Sequence, residues 1–167
     1  MLVQCVVESV RVHTLTGQHV VMLQPKETER YLPIWIGPDQ AASIASQLAG
    51  IRPDRPLTHD LMVDILAKVG AEITRVVVRD LVESGDGNGV FHGSIFIQSG
   101  GQEVEIDSRA SDAIALALRC DARILVAEAV LERSAIRPDG ELSAADDEDL
   151  SIWKQFIQTL PDDPSVG

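Results

Sequence analysis

Aromatic side chains are scarce: three Phe, two Trp and one Tyr make up 4% of the 167 residues. A core built from this chain must be filled by Val, Ile, Leu and Ala. Cysteine is almost missing too. Cys5 and Cys120 each lie in an apolar run with no partner at ligand spacing, which argues against a disulfide or a thiolate metal site and predicts two buried, inert thiols. No apolar run approaches the ~18 residues that a membrane span needs. Met1-Leu2-Val3-Gln4 carries no basic stretch ahead of an apolar one, so no secretory signal and a cytoplasmic location are expected. Neither a nucleophilic triad motif, a dinucleotide fingerprint nor an internal repeat is present.

Positive charge is also in short supply, with 14 Lys and Arg against 26 Asp and Glu for a net charge of −12. The excess is uneven: from Asp139 onward eight acidic residues face only Lys154, giving −7, and the first 138 residues carry the other −5. Acidic proteins repel polyanions at long range, which weighs against a general nucleic-acid binder. What remains is ordinary for a globular chain, 45% apolar and 24% charged. A domain of this length buries about two-thirds of the surface its unfolded chain exposes.

Period-two alternation predicts strands at Leu2–Val12, His19–Leu23 and Arg30–Ile36, an opening β-meander. Gly37-Pro38 breaks the third strand and starts a helix from about Asp39 to Ala49, with Ala42, Ile44, Ala45 and Leu48 as its apolar face. A loop stiffened by Pro53 and Pro56 leads to Thr58 as N-cap of a second helix, which ends at Val69 and aligns Leu61, Ile65, Leu66 and Val69 on one face. Strands at Ile73–Val82 and Val90–Gln98 flank a glycine-rich stretch, Glu83 to Gly89. It reads as a hairpin turn rather than a phosphate cradle, because no Lys-Ser/Thr ending opens a helix after it. Gln102–Ile106 is a further strand, Ser111–Arg119 a nearly all-apolar third helix that should be central, and Ile124–Ala127 a last strand.

The reading is an α+β fold: a mixed or antiparallel sheet packed with about three helices over residues 1–135. An acidic linker then spans 136–149, and a C-terminal helix and tail occupy 150–167. In that last segment Leu150, Trp153, Phe156, Ile157 and Leu160 share a helical spacing whose aromatic face is expected to dock on the body or on a neighbouring subunit.

Three stretches are more specific. Tyr31-Leu32-Pro33-Ile34-Trp35-Ile36-Gly37, Arg55-Pro56-Leu57-Thr58-His59-Asp60-Leu61, and Asp107-Ser108-Arg109-Ala110-Ser111-Asp112-Ala113-Ile114-Ala115-Leu116-Ala117 together resemble the bifunctional nuclease family over roughly residues 2–133. The resemblance implies a cytoplasmic α+β protein that self-associates, as a dimer or trimer, and has DNase and RNase activity. The family's frequent C-terminal module of excision-repair type is replaced here by the acidic tail. Two departures stand out: Gln40-Ala41 where members usually carry Glu-Ala, and Arg109-Ala110 where they usually carry Arg-Pro.

Phosphodiester hydrolysis needs an activated water and a group to neutralise the transition state, commonly a carboxylate-held metal or a His with a cation. Within the motifs the suitable residues are His59 as general base, Asp60, Asp107 and Asp112 as catalytic or metal-holding carboxylates for Mg²⁺ or Mn²⁺, and Arg55, Arg109 and Ser111 as phosphate-binding groups. Both clusters lie at helix openings, where backbone N–H groups favour phosphate, so they are candidates to share one site. The same Asp residues also suit helix caps or salt bridges, and Arg55 and Arg109 suit locking the two loops. Trp35, in an apolar strand, reads as core or interface ahead of base stacking. The rival to a nuclease is a non-enzymatic oligomeric scaffold in which these motifs lock a subunit interface.

Overall fold

A computed structural model of the chain describes residues 1–13, 15–83 and 89–137. The stretch 84–88, the acidic segment from 138 and the apolar pattern at 150–160 lie outside the described residues. Element order is β1 (Leu2–Val12), β2 (His19–Pro25), β3 (Leu32–Ile36), α1 (Pro38–Leu48), α2 (Thr58–Lys68), β4 (Ala71–Glu83), β5 (Gly89–Ser99), β6 (Gln102–Arg109), α3 (Ala110–Cys120), β7 (Arg123–Ala127) and α4 (Glu128–Ser134). The α+β class stands. The helices number four among the described residues rather than about three, because a short helix that buries Val130 and Leu131 follows the last expected strand.

The seven strands form one curled, mixed sheet in the order β3-β2-β1-β7-β4-β5-β6. Two antiparallel meanders, β1-β2-β3 and β4-β5-β6, are joined by β7, which runs antiparallel to β1 and parallel to β4. β4 and β5 pair as far as Glu83 opposite Gly89, as a hairpin requires. The helix-facing side of the sheet is apolar: Val21, Leu23, Ile34, Ile73, Val76, Val78, Ile95 and Ile97 pack with Ala113, Ile114, Ala115, Leu116 and Ala117 of α3. α3 is therefore the central helix that its all-round apolar sequence predicts. Val20 and Met22 form a smaller cluster with Tyr31 and Ile136, whose main chains bridge.

The apolar residues of α1 and α2 are used differently from the sequence reading. α1 buries Ala41 and Ile44, while Ala42 and Leu48 are exposed. In α2 only Val63 and Leu66 touch the core; Leu61, Ile65 and Val69 are 51%, 52% and 67% exposed. Spacing fixes which residues share a face but not which face the sheet covers. Thr58 is the first residue of α2 rather than its cap, a place taken by Leu57. No described helix is long and apolar enough to cross a membrane.

Gly93 allows α3 to start tight against β5. A Cβ there would lie 3.1 Å from the Ala110 Cα and 3.1 Å from the Ser108 Oγ. Gly93→Val is expected to lower the unfolding free energy by about 2 kcal/mol, because overpacking a site bounded by backbone forces the helix away. A urea titration reads this, and an unchanged midpoint would show that the contact yields freely.

Cys5 is buried in β1, and burial pushes its thiol up to about 11, with nearby Arg30 pulling slightly the other way. Burial also raises the half-buried Cys120 thiol, aided by Glu72. Both thiols should stay protonated at about pH 8 and resist a disulfide reagent until the chain unfolds, when two equivalents react. Fast labelling of Cys5 in the native protein would contradict this packing.

Candidate active site

The second and third motifs meet where α1, α2 and α3 pack together. His59, in the first turn of α2, is 8% exposed, because that turn is clamped between α1 and α3. Ser43 Oγ lies 2.7 Å from His59 Nδ1, and His59 Nε2 lies 3.0 Å from Asp112 Oδ1. A carboxylate only accepts, so Nε2–H donates to Asp112, and the Ser43 hydroxyl, which can donate or accept, completes the contacts of the ring at Nδ1. The other oxygen of Asp112, Oδ2, accepts from Arg109 Nε at 2.8 Å and Nη2 at 2.7 Å. One chain of contacts thus runs from α1 through α2 to the residue that caps α3.

A second set lies beside it. Asp60 Oδ2 accepts from the Leu57 backbone N–H at 2.9 Å, the capping contact that opens α2, and Oδ1 accepts from Arg119 Nε at 2.7 Å. Arg119 also donates to the Ala115 carbonyl at 2.9 Å and, from Nη2, to the Ser43 carbonyl at 3.3 Å. Its side chain is only 7% exposed. The Arg119 hydrogen bond, followed by the Leu57 one, holds the Asp60 carboxyl below its ordinary range.

Asp107 is not part of this assembly. Strand alternation sends it to the face of β6 opposite α3, where it pairs with Arg79; Glu105 also pairs with Arg79, and Glu103 with Arg75. Arg55 is exposed on the connection between α1 and α2 and takes no ion pair among the described residues. Ser43 and Arg119, which complete the network, lie in none of the three motifs. Only Arg119's place in the last turn of a helix, where cations are favoured, hinted at a role.

The donor set does not fit a divalent metal held by Asp60, Asp107 and Asp112. Asp107 is on the other side of the sheet, and all four oxygens of Asp60 and Asp112 already accept hydrogen bonds. Among the described residues no three His, Cys, Asp or Glu side chains converge on one point.

Arg109 leads from this network to a cleft of about 260 Å³. Its walls are Ile34, Trp35 and Ile36 of β3 and Val90 and Phe91 of β5; its rim is Gly37, Arg109, Ala110 and Ser111. β3 ends one side of the sheet and β5 lies next to the other end, so curling of the sheet brings them to one opening. Gly37 and Arg109 are the residues that cap α1 and α3, so two helix N-termini also face it. Trp35 is 41% exposed here, and is cleft wall rather than core. Arg109 is 63% exposed at its side chain, with Nη1 left without a partner in the described residues.

An α+β fold in which two motif-bearing segments line one cleft, and the third is tied to it through His59 and Asp112, defines a class of protein, and sequence comparison identifies it. The chain belongs to the bifunctional nuclease domain family, whose domain matches residues 21–139. The match runs from within β2 past the end of α4 and contains every described residue that lines the cleft. Two uncharacterized proteins of Mycobacterium tuberculosis, from strains CDC 1551 and H37Rv, are each 36% identical over 163 residues, which covers 94% of both chains.

Proposed function

We propose that the protein is a nuclease that hydrolyses phosphodiester bonds in DNA, RNA or both at the cleft between β3 and β5. The observation that carries this reading is Arg109: a cation fixed by Asp112 at the mouth of a cleft, beside the first backbone N–H groups of α3. A phosphate there would meet one guanidinium face and a helix N-terminus, the two elements that best stabilise charge on a transferring phosphoryl group. Ser111, 8% exposed in the first turn of α3, adds a hydroxyl at the rim. His59 is the imidazole of the network and the candidate to exchange a proton, and through Asp112 it also fixes Arg109. Assistance by Mg²⁺ or Mn²⁺ is part of the proposal to be tested, with no protein carboxylate assigned to hold the ion.

The test is cleavage of labelled single- and double-stranded DNA and RNA in Mn²⁺, Mg²⁺ or EDTA, comparing wild type with folded Asp112→Asn. Cleavage that weakens in the variant supports the cleft. Cleavage absent under every condition overturns the nuclease reading, and cleavage unaffected by the variant overturns this site. A scaffold of self-associated copies is the second reading. It is favoured by the exposed stripe Leu61, Ile65 and Val69 on α2, since contiguous apolar surface of this kind marks interaction faces. Light scattering of wild type against Ile65→Asp decides it: a dimer or trimer that falls to monomer supports an assembly through α2.

A further inference from the structure

We infer that the cleft takes an unpaired nucleobase, so that the substrate is single-stranded nucleic acid and Trp35 is the residue that selects it; this rests on the nuclease reading above. The chemistry of the lining divides sharply. Five apolar residues, two of them aromatic, form the walls, and among the described residues the only charged group is Arg109 at the rim. A ligand matching both halves has a planar, weakly polar face and an anion a short distance from it, as a nucleotide has.

The size limits the choice further. About 260 Å³ is below the roughly 300–1,000 Å³ of pockets that hold drug-sized ligands, so there is room for one base and no more. A base inside a duplex cannot enter, because both its faces are covered by its neighbours in the stack. Only an unstacked base can present a face to Trp35 or Phe91, and every base has such a face, which allows DNA and RNA alike. The overall charge of −12 fits the same view. A duplex is the denser polyanion and is repelled more, whereas a flexible strand can bring one phosphate to Arg109 and lead the rest away.

Gln40 lies beside the rim residue Gly37. A Cβ on Gly37 would meet Gln40 Oε1, so this side chain folds back toward the start of α1. A neutral amide at that place, where a glutamate would add a negative charge, keeps the approach of a phosphate free of repulsion.

The experiment uses the full chain carrying Trp153→Phe, which leaves Trp35 as its one tryptophan. Phosphorothioate dT12, rU12 and a blunt DNA duplex are titrated at low salt, reading tryptophan quenching and the anisotropy of a labelled strand. Stacking should quench Trp35 with both single strands, and the duplex should bind at least tenfold more weakly. Trp35→Ala should weaken single-strand binding by about tenfold or more, the usual worth of one stacked base, and Trp35→Phe should restore most of it. The recovery by Phe separates stacking from a folding defect. Equal binding and quenching by the duplex, or single-strand binding that leaves Trp35 unquenched, overturns the inference. The cleavage assay distinguishes its failure from that of the nuclease reading. Quenching without cleavage keeps the base site and removes the hydrolase, whereas cleavage of duplex and single strand alike without quenching does the reverse.

Discussion

Asp60→Ala is expected to lower the unfolding free energy by about 3 kcal/mol at neutral pH, measured by urea titration. Removing the carboxylate strands the Arg119 guanidinium, 7% exposed at its side chain, without an anion, and an unpaired buried charge costs about 3–5 kcal/mol. The lower end applies because Asp60 keeps 24% of its side-chain surface in water. The lost cap of α2 adds in the same direction. The double variant Asp60→Ala with Arg119→Met should recover a large part of the loss, since what hurts is the orphaned charge rather than the absence of a pair.

The pH dependence of that gap follows from the direction of the Asp60 shift. Its carboxyl is held below the ordinary value in the folded state, so its stabilisation is fully present above the unfolded value of about 4 and is lost as pH falls through the lower, folded one. Wild type and Asp60→Ala should therefore differ by a constant amount from about pH 8 to about pH 5 and converge only below about pH 4. A gap under about 1 kcal/mol, or one that shrinks between neutral pH and about pH 5, would place Arg119 in water and refute the packing of α2 on α3.

Arg109→Ala carries the largest expected effect on activity, a fall in kcat/KM of about 10²–10³-fold, as when one preorganised donor to a developing charge is removed. Stability should hardly change, since the residue is 63% exposed at its side chain and pairs with Asp112 at the surface. Arg109→Lys should restore part of the rate. A lysine brings the charge but not the planar fork with which Arg109 holds Asp112 through Nε and Nη2. If Arg109→Ala cleaves as wild type does, the phosphate is bound elsewhere and Arg109 serves only to cap α3.

Much of this molecule is local in origin, and that part was legible. The alternation in β1 and in β4 to β6, the stop at Gly37-Pro38 and the apolar run of α3 each depend on residues within one element, and the observed strands and helices fall within a few residues of the expected ones. The α+β class and the central place of α3 follow from them, and the three motif stretches supplied the family. α4 was missed because seven residues give too little periodicity to separate a helix from a closing turn. The apolar stripe of α2 was seen, but its exposure was not.

The site depended on pairings that no local pattern encodes. Ser43 reaches His59 across 16 residues, His59 reaches Asp112 across 53, and Asp60 reaches Arg119 across 59. Asp107 and Asp112 stand five residues apart, yet strand alternation turns the first to the far face of the sheet, while the start of α3 turns the second toward His59. The sequence by itself determined which elements form, and which residue types stand at the helix openings, because propensity and periodicity act over a few residues. Only the tertiary structure decided that His59 is buried, that the carboxylates are held by arginines, and that Trp35 and Phe91 share a cleft. Those outcomes depend on how a curled sheet brings distant strands together.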